Sequence, residues 1–128
     1  MDERVPAAQQ LIDTSYDFGR ALQSDPLMRA SVLMTTEGHG FDEEQRVSFD
    51  AWLKMVTDIS AKAIAEGDID DRWSALEVAQ TLTAGVNGVQ QSSRIYSDYA
   101  DALDRLHSLW RMVAPGLFTP EAINKLTW

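Results

Sequence analysis

The chain has 128 residues, 45% of them hydrophobic, which suits one globular domain with one core and argues against disorder. It contains no cysteine, which excludes disulfides, thiolate zinc sites and cysteine nucleophiles. Twenty acidic residues against 11 basic ones leave a net charge of −9, a surface that repels phosphate backbones, so this chain by itself is expected to bind nucleic acid poorly. No apolar run approaches the roughly 20 residues of a membrane span. The opening Met1-Asp2-Glu3-Arg4 lacks a signal-peptide core, and a cytoplasmic protein is the expectation.

Breakers divide the chain into helical segments. Pro6 suits the first turn of a helix running to about Gln23, with Leu11, Ile12, Ser15, Phe18, Gly19 and Leu22 at helical spacing. Ser24 or Asp25 caps a second helix, with Pro26 at its first position, that runs from Leu27 to about Glu37. Gly38-His39-Gly40 ends it, and Asp42 to Arg46 lead into a third helix reaching Glu66. Phe49, Trp52, Leu53, Val56, Ile59 and Ala63 share a face of that helix. Gly67-Asp68 closes it, and Ser74 with Glu77 forms a capping box for a fourth helix, Ala75 to about Ile95. Asp98 is expected to cap a fifth helix, Tyr99 to Ala114, which Pro115-Gly116 stops. A short helix follows Thr119-Pro120 through Ile123 to Leu126. No segment alternates apolar and polar residues over a strand's length, so the chain reads as an all-α bundle of five to six helices.

Catalytic and metal chemistry find little to rest on. His39 and His107 sit in different segments, and neither has the converging ligands a metal needs, so no metal and no cofactor is expected. Glu43-Glu44 and Asp70-Asp71 are sequence neighbours whose carboxylates do not face a common point. Phosphate loops, nucleophile elbows and zincin motifs are absent, and the chain is not expected to be an enzyme.

The polar residues of interest lie on otherwise apolar helices. Thr83, Asn87 and Gln90 fall on one stripe of the fourth helix, beside Gly85 and Gly88. Glycine inside a helix costs about 1 kcal/mol relative to alanine, so two within four residues ask for a close neighbour, helix or ligand. A buried amide without partners costs on the order of 1–3 kcal/mol, so Asn87 needs either a bond across a helix interface or a ligand. Trp52 has the same two roles open to it, core residue or flat cavity wall offering an indole N–H. Methionines 28, 34, 55 and 112 add adaptable apolar surface.

Several stretches, in order, resemble one family. Ser24-Asp25-Pro26 with Arg29-Ala30 and Thr35-Thr36-Glu37, Phe49-Asp50-Ala51-Trp52, Ala65-Glu66-Gly67-Asp68-Ile69, Gly88-Val89-Gln90, and Leu109-Trp110-Arg111-Met112 with Pro115-Gly116-Leu117 are similar to the ligand domains of the γ-butyrolactone autoregulator receptors, a branch of the TetR repressors. Each motif alone is weak; together they span roughly residues 5–118.

The resemblance implies a TetR-type C-terminal bundle, with residues 1–128 forming one ligand-binding and dimerisation domain. The family's pocket tryptophan falls on Trp52, and its polar pocket threonine falls on Asn87, a departure to a larger side chain that offers both a donor and an acceptor. Helix phase adds Ser31, Met34, Thr35, Val56, Thr83, Val86 and Gln90 to the expected lining. The implied ligand is a γ-butyrolactone, butenolide or furan-type signal, or an antibiotic-like molecule. The implied partner is a second copy, paired through the last two long helices, with Leu103, Leu106, Trp110 and Val113 as expected contacts. Operator DNA is implied only through a helix-turn-helix domain that would precede residue 1. Two origins fit, a piece of a longer receptor or a stand-alone sensor. The competing reading is a ligand-free helical dimerisation or interaction module, or a pseudo-receptor answering to a different ligand such as an antibiotic.

Overall fold

The computed structural model describes residues 5–36 and 43–128. Six helices make up its regular structure, and the described residues contain no strand: α1 (Ala7–Ser24), α2 (Pro26–Thr36), α3 (Glu43–Ala65), α4 (Ala75–Ser97), α5 (Ala102–Leu117) and α6 (Pro120–Ile123). α1, α3, α4 and α5 form a ring of four helices in which α1 and α4 each pack against both α3 and α5. α2 crosses one end of this bundle beside α1 and α3.

The core lies where the apolar stripes converge. Ala7, Ala8, Leu11 and Ile12 of α1 meet Val56, Ile59 and Ala63 of α3, Val78, Ala79 and Leu82 of α4, and Trp110 and Ala114 of α5. Small residues on α1 set how closely α5 approaches. A Cβ at Gly19 would stand 2.7 Å from Leu106 Cδ1 and 3.0 Å from Leu103 Cδ2. The larger half of the fourth-helix glycine question is answered in the same way, since a Cβ at Gly85 would meet Leu109 Cδ2 at 3.2 Å. At Gly88 a Cβ would meet nothing within 4 Å.

Helix ends follow the local chemistry. Ser74 Oγ accepts from the Glu77 backbone N–H at 3.1 Å, as the capping pattern requires. The Leu27 N–H donates to Asp25 Oδ1 at 3.0 Å as α2 begins. Glu66, just past the end of α3, reaches back to accept from the Ala7 N–H at 2.9 Å. Gly67 takes a φ of +82°, the left-handed conformation that ends a helix without strain in glycine alone.

The α4–α5 turn differs from expectation. Asp98 does not cap α5. It closes α4 in the left-handed region (φ 52°), and Tyr99 follows there (φ 69°). Two more residues, Ala100 and Asp101, complete the reversal of the chain, so α5 starts at Ala102. α5 also runs through Pro115 to Leu117. A proline in the last turn forfeits one hydrogen bond, and the end of α5 is held from outside instead. Gly116 O accepts from Trp73 Nε1 (2.9 Å) and from Arg72 Nη2 (3.0 Å). The Asp70 N–H donates to Leu117 O, and the Thr119 N–H to Asp68 O. Asp68, buried, is neutralised by Lys125 Nζ at 2.8 Å. The α3–α4 connector is thereby stitched to the end of α5.

α2 exposes most of its surface and is anchored mainly by Arg29. The guanidinium donates from Nε to Leu22 O and from Nη2 to Gln23 O, and lies over the Tyr99 ring, 5.2 Å from its centroid. Gln23 Nε2 donates to Tyr99 O at 3.1 Å, which completes a junction of α1, α2 and the α4–α5 turn.

Candidate ligand cavity

Four helices line a cavity of about 160 Å³ that is partly open to solvent. α1 contributes Phe18, α2 Ser31 and Val32, α3 Ser48, Phe49 and Trp52, and α4 Thr83, Val86 and Asn87. Phe18 and Trp52 meet with ring centroids 6.1 Å apart and planes tilted by 45°, an aromatic wall. Beneath it a void of about 30 Å³ shares Trp52, Thr83 and Val86 with the outer cavity and continues to Val56, Leu11 and Trp110. Trp52 therefore stands between an outer chamber and an inner extension.

The lining is neutral: every described residue facing the outer cavity is apolar, hydroxylic or an amide. Thr83 Oγ1 is buried and has no hydrogen-bond partner among the described residues. A helical threonine usually satisfies its hydroxyl on a carbonyl of the preceding turn, and an orphaned hydroxyl costs about 1–3 kcal/mol. Asn87, one turn later on the same face, also makes no side-chain hydrogen bond among the described residues.

The residues expected from sequence divide as follows. Trp52, Asn87, Thr83, Ser31 and Val86 come together around the outer cavity, and Val56 lines the inner one. Gln90 does not line either; it is 2% exposed, one turn beyond Asn87. Met34 is turned away, 78% exposed on the outer side of α2. The Thr35 side chain and His39 lie outside the described residues. Phe18, Val32, Ser48 and Phe49 join the lining without having been singled out for it; Phe18 and Phe49 stood on apolar stripes, where core and cavity wall share one pattern.

The expected dimer contacts face another way. Leu106 and Trp110 are each 1% exposed within the single chain, Leu103 abuts Gly19, and Val113 packs on the core. Leu103, Leu106 and Trp110 are turned to α1, so the buried Leu106 and Trp110 are covered within the chain, whereas Val113 borders a groove with Val78 and Leu82 of α4. The large apolar side chains that α4 and α5 do expose are Leu76, Ile95, Tyr96 and Met112. The outward side of the pair carries a shallow depression bordered by Gly85, Gly88, Val89, Ser92, Asp104, Arg105, Ser108 and Leu109, and Met112 lies one turn beyond Ser108 and Leu109.

No group of three or more metal-ligating side chains occurs among the described residues, and no described helix is long and apolar enough to cross a membrane.

Comparison with known proteins accords with this architecture. Two crystal structures of full-length TylP, a TetR regulator from Streptomyces fradiae, superpose with TM-scores of 0.89 and 0.87 at 27% and 28% sequence identity. They cover 98% and 95% of this chain, which spans 57% and 56% of theirs, somewhat over half the length of those regulators. No curated protein sequence matches. The family model for the tetracyclin repressor-like C-terminal domain matches residues 6–119. From the four-helix ring, the cavity within it and that match over most of its length, the chain belongs to the TetR-type regulator family as a C-terminal domain.

Proposed function

We propose that this chain is the small-molecule sensor and dimerisation unit of a TetR-type transcriptional repressor, taking a γ-butyrolactone-like signal into the cavity walled by Trp52. The observation that carries the reading is the unpartnered, buried Thr83 hydroxyl in the wall of a neutral, aromatic-sided cavity. A protein that keeps such a group is less stable for it, and an occupant with an oxygen function offsets that cost. About 160 Å³ holds the equivalent of roughly five water molecules, the scale of a small ring with a short substituent rather than of a peptide.

In this reading a ligand favours one of two conformations through differential contacts, and the full-length repressor leaves its operator. α2 is the moving wall. It lines the cavity through Ser31 and Val32, is lightly held, and exposes Leu27, Leu33 and Met34 on its outer side. Those side chains suit contact with a DNA-reading domain. The work is cytoplasmic, where operator DNA lies.

TetR-family regulators generally act as dimers. The outward α4–α5 face is the dimer surface of this reading. Gly88 is exposed and has no neighbour inside the chain to explain it, which a closely crossing partner helix supplies. The same face supports the second reading, a ligand-free interaction module, since it needs no cavity.

The test is thermal stability with γ-butyrolactones, butenolides and furan acids. A ligand at 100 times its dissociation constant adds about 2.7 kcal/mol, a clear rise in melting temperature. The rise should vanish in Trp52→Ala while the variant stays folded. No rise with any compound, from a folded dimer, supports the interaction module instead.

A further inference from the structure

We infer that the cavity selects a ligand bearing a cis-amide edge, such as a γ-lactam or cyclic imide, over the lactone of the same shape. The inference rests on the sensor reading above and concerns what α4 recognises. Asn87 lines the cavity, and its side chain is left without a hydrogen-bond partner among the described residues. An amide side chain presents a carbonyl acceptor and an N–H donor along one edge. Only a ligand with a donor beside an acceptor satisfies both at once, through two parallel hydrogen bonds. A lactam does so with its ring N–H and carbonyl. A lactone can accept from the Asn87 N–H, but its ring oxygen then faces the Asn87 carbonyl, acceptor against acceptor, and that carbonyl stays unpaired.

The rest of the wall agrees. No described lining side chain is charged, so none of them offers a cation to a carboxylate, and against this lining a furan acid would stand as an unpaired anion. Thr83, one turn before Asn87, offers a hydroxyl that no described residue engages. It supplies a further donor toward the same carbonyl if the ligand sits deep against α4. The aromatic wall of Phe18, Phe49 and Trp52 lies across from these groups and suits a flat ring with an alkyl substituent.

Isothermal titration with a matched pair decides the matter: γ-hexalactone and its lactam counterpart, 5-ethylpyrrolidin-2-one. The lactam should bind about tenfold more tightly, the effect of one additional neutral hydrogen bond. Asn87→Leu should bring the two to equal affinity, and Asn87→Asp, an acceptor only, should keep the lactam ahead while weakening both. Trp52→Ala should weaken both probes alike. Equal affinities in the unaltered chain, or a lactam preference that survives Asn87→Leu, overturn the cis-amide assignment and leave the sensor reading standing. Failure of both probes to bind sinks the sensor reading for five-membered rings, and the assignment with it.

Discussion

The Trp110 indole Nε1 donates a 2.9 Å hydrogen bond to Ser15 Oγ in the middle of the α1–α5 contact, and Ser15 Oγ in turn donates to Ile12 O at 2.7 Å. Both residues are buried, and the Trp110 ring stacks on Phe118 with centroids 6.0 Å apart. A serine on an apolar helix face is thereby the acceptor that lets a tryptophan enter the core.

Ser15→Ala leaves that indole N–H buried and unpaired. It should lower the unfolding free energy by about 1–3 kcal/mol in urea denaturation. A double-mutant cycle with Trp110→Phe, whose ring has no N–H, should show positive coupling; additive losses would mean the bond contributes nothing.

Thr83→Val exchanges the orphaned hydroxyl for a methyl of nearly equal size. The empty protein should become more stable, by about 1 kcal/mol, because a buried unpaired polar group is removed. Affinity for the probe that binds most tightly should fall in the same variant. Opposite movement of stability and affinity marks a group retained for binding. A variant that loses stability would show that the hydroxyl has a partner within the protein.

Gly19→Ala and Gly88→Ala should move in opposite directions. At Gly19 the new methyl meets Leu106 and Leu103 within 3.0 Å, and overpacking of about 1–3 kcal/mol outweighs the gain in helix propensity. At Gly88 it meets nothing inside the chain, so the monomer gains up to about 1 kcal/mol. Sedimentation equilibrium of Gly88→Ala should nevertheless show weaker self-association, and Met112→Asp weaker still. Unchanged association in both would place the dimer surface elsewhere.

Asp101 makes the α4–α5 turn sensitive to acid. The hydrogen bond from Ser97 Oγ, 2.6 Å, holds its carboxyl below the usual carboxylate range; partial desolvation opposes this and Arg105 adds to it. A folded-state pKa below the unfolded one means a contribution present above the unfolded value, about 3.9, and lost as pH falls through the folded one. Asp101→Asn should therefore lower the melting temperature at pH 7 and show a shallower loss on acidification below about pH 4. Parallel acid limbs for the two proteins would count against the hydrogen bond as the cause.

Much of this molecule was legible in its sequence. Pro26, Ser74 with Glu77, Gly67 and Thr119-Pro120 mark helix boundaries through backbone chemistry that acts within a few residues, and the structure follows them. For Trp52, Asn87 and Thr83 the apolar stripe left core and cavity wall both open, the family resemblance pointed Trp52 and Asn87 to a cavity, and the structure lines one cavity with all three. What the tertiary structure alone decided was which neighbour each stripe meets. Leu103, Leu106, Trp110 and Val113 have the spacing of a contact face, but periodicity states only that a face is covered, and α1 covers the first three with Gly19 and Ser15. Gly85 and Gly88 look alike in sequence; one receives Leu109 and the other faces outward. Asp98 has the composition of a helix start, yet the reversal between α4 and α5 requires two left-handed residues there. Capping and helix formation are local and are written in the chain, whereas burial is a relation between segments far apart in it, and only packing chooses among the partners that a stripe could accept.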